Sequence, residues 1–70
     1  MKEAYMKYEL HEKGGRRLIR TYTNPERLPF FIGFYFDEAL AEPVAEWQKN
    51  ARVGDIYDHE LFYVVVKKKE

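Results

Sequence analysis

The chain has 70 residues, 12 Lys+Arg against 12 Asp+Glu, and no Cys, with six Tyr, five Phe and one Trp. Without Cys it has no disulfide and no thiolate metal site, and its two His are too few for a typical closed zinc site. No stretch approaches the ~20 apolar residues that a membrane-crossing helix needs.

This length predicts one domain over 1–70. The hydrophobic fraction of 46% beside 34% charge argues for a folded chain rather than a disordered one. Met1-Lys2-Glu3-Ala4-Tyr5 has no apolar core of a secretory signal, so the expectation is a cytoplasmic protein with no membrane contact. The zero net charge is uneven. Residues 1–30 carry seven basic and four acidic side chains, 31–60 two and seven, and 61–70 three and one.

From Ala4 to Leu10 the pattern alternates. Ala4, Met6, Tyr8 and Leu10 point one way, and Tyr5, Lys7 and Glu9 the other. Period two predicts a half-buried strand. Glu12-Lys13-Gly14-Gly15 then reads as a hairpin turn in which glycine supplies positive φ. Arg16–Thr23 reads as the returning strand, with the facing of adjacent Leu18 and Ile19 left open. Asn24-Pro25 and Pro29 predict a loop over 24–29, with room for one helical turn at 25–28.

Phe30-Phe31-Ile32-Gly33-Phe34-Tyr35-Phe36 reads as a third strand. It would set Phe30, Ile32, Phe34 and Phe36 on one face and Phe31, Gly33 and Tyr35 on the other, with Gly33 admitting a close neighbour. Asp37 is the expected N-cap of a helix at about 38–53 that packs through Leu40, Val44, Trp47 and Ala51. Pro43 would cost that helix a hydrogen bond, unless a short turn at 38–41 precedes a main helix capped by Glu42. Gly54 is the expected residue just past its end. Trp47 is read as a core plug, with an interface anchor as the other role. Leu61–Val66 is β-branched and aromatic, and predicts a strand within 61–68. Lys67-Lys68-Lys69 closes its apolar run and leaves 67–70 as a tail free to fray. The expected fold is α+β, in the order β-β-(β)-α-β, with one helix on one face of a small sheet.

Candidate chemistry is sparse. His11-Glu12 and His59-Glu60 begin like a zinc-protease helix motif, but the second His is replaced by Gly15 and Tyr63. Asp55, Asp58, His59 and Glu60 form an acidic group without calcium-loop spacing. There is no Ser, so a Ser- or Cys-based triad is excluded within one chain. Gly14-Gly15 fits neither a dinucleotide fingerprint nor a phosphate loop. The expectation is no enzyme, no cofactor and no metal.

Two binding readings remain. The first is a non-enzymatic protein-interaction module. It binds another protein or itself, as a homodimer through an apolar sheet face. Its candidate residues are Phe31, Tyr35 and Tyr63. The second is nucleic-acid binding through the hairpin, where Lys13, Arg16, Arg17 and Arg20 would neutralise phosphates and Tyr22 would stack on bases. Tyr5 and Tyr8 are interleaved there, and Lys7 lies across the hairpin. A computed isoelectric point of about 6.7 places this reading second.

Overall fold

A computed structural model describes residues 6–69 of the chain. The expected beginning of the first strand at Ala4, the ring of Tyr5 and the last tail residue Glu70 lie outside the described residues.

Strands β1 (Met6–Glu12) and β2 (Arg17–Tyr22) form the expected hairpin. Helices α1 (Arg27–Tyr35) and α2 (Ala41–Gln48) follow, joined by a 3-10 turn at Glu38–Leu40. Strands β3 (Ile56–Asp58) and β4 (Phe62–Lys68) complete the order β-β-α-α-β-β. The sheet is antiparallel throughout, in the order β2-β1-β4-β3. β1 and β4 are the two central strands, so the most apolar strands sit in the middle. This is an α+β fold with both helices packed on one face of the sheet.

The hairpin register explains the doublet Leu18-Ile19. Tyr8 pairs with Tyr22 and Leu10 with Arg20, but His11 pairs with Leu18, so Ile19 is an extra residue in a bulge. Leu18 then falls opposite His11 on the helix-free face, while Ile19 packs against the core. The turn differs from expectation at one point. The positive φ belongs to Arg16, at 52°, and to neither Gly14 nor Gly15.

The run 30–36 is not a strand. An apolar run of this length has no clear period of its own, and its context decides. Leu28 and Ile32 stand at i and i+4, and both are 0% exposed beneath α1. Pro29 is the third residue of that helix, where the amide has no acceptor within the helix, so proline costs nothing there. The entry is a turn in which the Asn24 side chain accepts from the Glu26 amide at 3.0 Å and the Asn24 carbonyl from the Arg27 amide at 3.1 Å. Gly33 does admit a close neighbour. A Cβ there would stand 3.3 Å from the Ala41 Cβ, so α1 and the start of α2 touch almost backbone to backbone.

Asp37 caps as expected, accepting from the Ala39 amide at 2.9 Å. The segment divides as the Pro43 alternative has it, a short turn before a main helix, but that helix starts at Ala41 with Leu40, not Glu42, at its N-cap. The 3-10 turn takes 38–40, and Pro43 is the third residue of α2, again in the first turn. α2 ends at Gln48, earlier than expected. Its last carbonyls are met by tighter i to i+3 bonds, from Lys49 to Glu46 at 3.2 Å and from Asn50 to Trp47 at 3.3 Å. Val44 and Ala51 are buried, while Leu40 and Trp47 are half-buried against the core. Trp47 is therefore a flank of the core and not its plug, with its ring 5.4 Å from Tyr57.

Gly54 does not terminate a helix. It sits in a turn closed by the Asp55 amide on the Arg52 carbonyl at 2.9 Å, with φ +99°, as the third residue of a type II turn requires. That turn feeds β3, a strand of three residues. β4 continues through Lys67 and Lys68, which pair with Lys7 and Met6, so this part of the expected tail belongs to the ladder.

The core lies between the helices and one sheet face. Tyr8 and Leu10 of β1, and Phe62, Val64 and Val66 of β4, meet Leu28, Ile32 and Val44 there. Phe36 closes the helix end of the layer, 4.8 Å from Phe62.

Candidate interaction surfaces

The three residues expected at a protein interface do not share a surface. Phe31 and Tyr35 are successive turns of α1, stacked at 5.1 Å along the β2 edge. Phe31 leans on Tyr22 at 6.0 Å, and Tyr35 meets Phe36 edge-on at 4.9 Å. Tyr35 remains 44% exposed. Tyr63 lies across the sheet, on the helix-free face, stacked flat on His11 at 4.6 Å.

That helix-free face is mixed in character. Its centre is a polar and aromatic unit, in which the His11 ring pairs through Nε2 with Glu9 at 3.2 Å and carries Tyr63 on its flat side. Lys7 and Lys67 pair across the strands at one end. At the other, Lys13 Nζ bridges to Asp58 at 2.7 Å. Exposed apolar side chains stand around this centre, with Leu18 at 49%, Ile56 at 56% and Leu61 at 47%. The face is less apolar than the sequence suggests, because Glu9, His11 and Asp58 occupy the rows beside Val65 and Tyr63.

The hairpin cations are partly committed. The Arg17 Nε donates to Glu12 at 3.1 Å, and Glu12 first, then Tyr35, hold its guanidinium above its ordinary pKa. Lys13 is in the bridge to Asp58. Tyr22 is 7% exposed, so its ring face is not open to a base. Burial pushes the Tyr22 hydroxyl up from its ordinary pKa, with Arg20 opposing, and that hydroxyl has no hydrogen-bond partner among the described residues. Arg16 and Arg20 remain as exposed cations without an ion pair among the described residues.

The acidic loop is tied up locally. The Asp55 carboxylate accepts from the Arg52 amide, Asp58 binds Lys13, and His59 Nδ1 accepts from the Leu61 amide. Among the described residues, no three His, Asp or Glu side chains come together in a way that could hold a metal ion. No helix of the described residues is long and apolar enough to cross a membrane. A cleft of about 460 Å³ opens where Met6 and Tyr8 meet Pro29 and the end of α2. It is lined by one carboxylate, Glu26, so it assembles no acid–base pair of carboxylates.

The most unusual side chains were not among the expected site residues. Phe30 is 76% exposed and Phe34 83% exposed, one helical turn apart on the outer face of α1. Arg27 precedes them on the same stripe, and exposed Asp37 and Glu38 follow at the helix exit. Read as a strand, this segment put Phe30 and Phe34 in one row with buried Ile32. A helical reading of 27–35 turns them away from it, because Leu28, Phe31, Ile32 and Tyr35 take the inner side.

Comparison with known protein families, with curated proteins and with solved structures finds no match for this chain.

Proposed function

We propose that this protein is a non-enzymatic protein-interaction module that presents the outer face of α1 to its partner. One observation carries the reading: two phenylalanines, 76% and 83% exposed, stand one turn apart on a helix whose other side is anchored in the core. Isolated exposed apolar residues are ordinary, but two aromatic rings on one helix face offer substantial area to a partner. Covering the exposed parts of both rings removes about 300 Å² of apolar surface from water, or about 8 kcal/mol before the cost of association. The helix-free sheet face supports the reading less well, since its centre is polar. The hairpin supports nucleic-acid binding less well, since Tyr22 is buried and Lys13 and Arg17 already have acidic partners. A cytoplasmic setting, expected from the sequence, belongs to this reading.

The test is capture from native-host lysate with tagged protein, run beside a Phe30→Lys/Phe34→Lys variant and with nuclease added. A bound protein that survives nuclease and is lost with the double variant supports the module. Binding that nuclease abolishes, or that ignores both substitutions, refutes it.

A further inference from the structure

We infer that the partner of this face is a second copy of the chain, docked α1 against α1 in antiparallel fashion about a two-fold axis on the outer face, midway between Phe30 and Phe34. The inference rests on reading α1 as the interaction surface, and names what covers it. A two-fold contact needs a surface complementary to itself. The outer stripe of α1 has that property. It runs from a cation, Arg27, through Phe30 and Phe34, and the exposed anions Asp37 and Glu38 follow just past the helix end.

In the antiparallel arrangement, Phe30 faces the partner's Phe34, and Arg27 faces the partner's Asp37. Arg27 thus meets an anion, while Glu26 at the N-cap comes level with the partner's Glu38. The helix ends agree with this. α1 has no acidic residue in its first turn and no basic residue in its last, and Glu26 at the N-cap makes no side-chain capping bond. A helix alone prefers the opposite arrangement, with anions at its start. The second copy brings Asp37 to the Arg27 end.

Shape points the same way. Beside Phe30, a hollow of about 280 Å³ is lined by Asn24, Glu26, Arg27 and Phe30. It lies one helical turn from Phe34, where the antiparallel register delivers the partner's Phe34. The partner's Phe34 would lie over that shallow depression, beside Arg27 and Phe30. Two-fold symmetry fills the same hollow on both copies. The rings and their flanking side chains would bury on the order of 1,000 Å² in all, the low end of specific interfaces, so the dimer is reversible.

Sedimentation equilibrium of the chain from about 10 μM to about 1 mM tests the inference. The average mass is expected to rise from 8.5 kDa toward twice that value. Phe34→Lys should return it to the monomer, and Arg27→Glu should weaken the dimer at least several-fold. Thermal melts of both variants serve as the folding control. Orientation is read from two cysteine variants, which is straightforward because the chain has no Cys. Oxidising Phe30→Cys with Phe34→Cys should give the mixed disulfide in excess over both homodimers. A strict monomer at the highest concentration, a dimer indifferent to Phe34→Lys, or an excess of homodimers overturns the inference. If the chain stays monomeric while host-protein capture still depends on Phe30 and Phe34, the second copy is refuted and the interaction module stands. If both are lost, neither stands.

Discussion

Ile32→Ala and Phe34→Ala should differ sharply in cost, although the two residues stand two apart in one apolar run. Ile32 is 0% exposed between α1 and the sheet. Truncation removes three carbons, worth about 2.4 kcal/mol of transfer free energy at about 0.8 kcal/mol each. The void left in a close-packed layer adds to that, so the expected cost is about 3–4 kcal/mol. Phe34 is 83% exposed, and its truncation should move stability by less than about 0.5 kcal/mol. The whole domain is worth roughly 4–10 kcal/mol at the usual stability per residue, so the first change removes a large share of it. Urea unfolding at low micromolar protein, followed by Trp47 fluorescence, reads both. With a slope of about 1 kcal/mol per molar, Ile32→Ala should lower the midpoint by about 3 M and Phe34→Ala by less than about 0.5 M. Equal losses would show that both side chains share one buried row, as in a strand, and would refute the helix over 27–35.

Trp47→Ala should cost about 2–3 kcal/mol by the same assay with far-UV circular dichroism as probe, below the usual cost for a fully buried Trp, because this ring only flanks the core against Tyr57. A loss above about 5 kcal/mol would restore it to the centre. Gly54→Ala should cost about 1–2 kcal/mol in the same denaturation. The space around Gly54 is open, so the penalty is its φ of +99° alone, and an unchanged midpoint would contradict that backbone. Tyr22→Phe should be neutral or stabilising by up to about 1 kcal/mol, since it removes a buried hydroxyl with no hydrogen-bond partner among the described residues. The same hydroxyl sets an alkaline limit. Its pKa is raised in the fold, so its contribution is complete below the ordinary tyrosine value near 10 and is lost as pH climbs through the raised one. Ultraviolet titration should show a late-ionising tyrosine step that shrinks in Tyr22→Phe, and a titration unchanged by that substitution would refute the burial.

The parts legible in the sequence were those with a period or a forced backbone. The strand alternation of Met6–Leu10 carried into β1, and the β-branched run Phe62–Val66 into β4. Asp37 marked its cap through side-chain chemistry that needs no tertiary knowledge. The run 30–36 was illegible because its uniform apolarity fits either period, and only Leu28, outside the run, completes the helical pair with Ile32. β3 was missed for a different reason. Three residues are too few to alternate, and the strand exists because Val65, Val64 and Tyr63 offer a free ladder to Ile56, Tyr57 and Asp58. The same two causes hid the candidate site. Phe30 and Phe34 emerge only once the helix is known, while Tyr22 looked available for stacking because its burial depends on Phe31 arriving from α1.

The central claim is that Phe30 and Phe34 of α1 dock onto their own counterparts. Isotope-filtered nuclear Overhauser spectroscopy on a concentrated mixture of labelled and unlabelled chains tests it at the atoms concerned. The account predicts contacts between chains from the Phe34 ring to the Phe30 ring and the Asn24 side chain. Contacts between chains confined to Tyr63 and Ile56 would move the interface to the helix-free sheet face, and no contact between chains would contradict self-docking altogether.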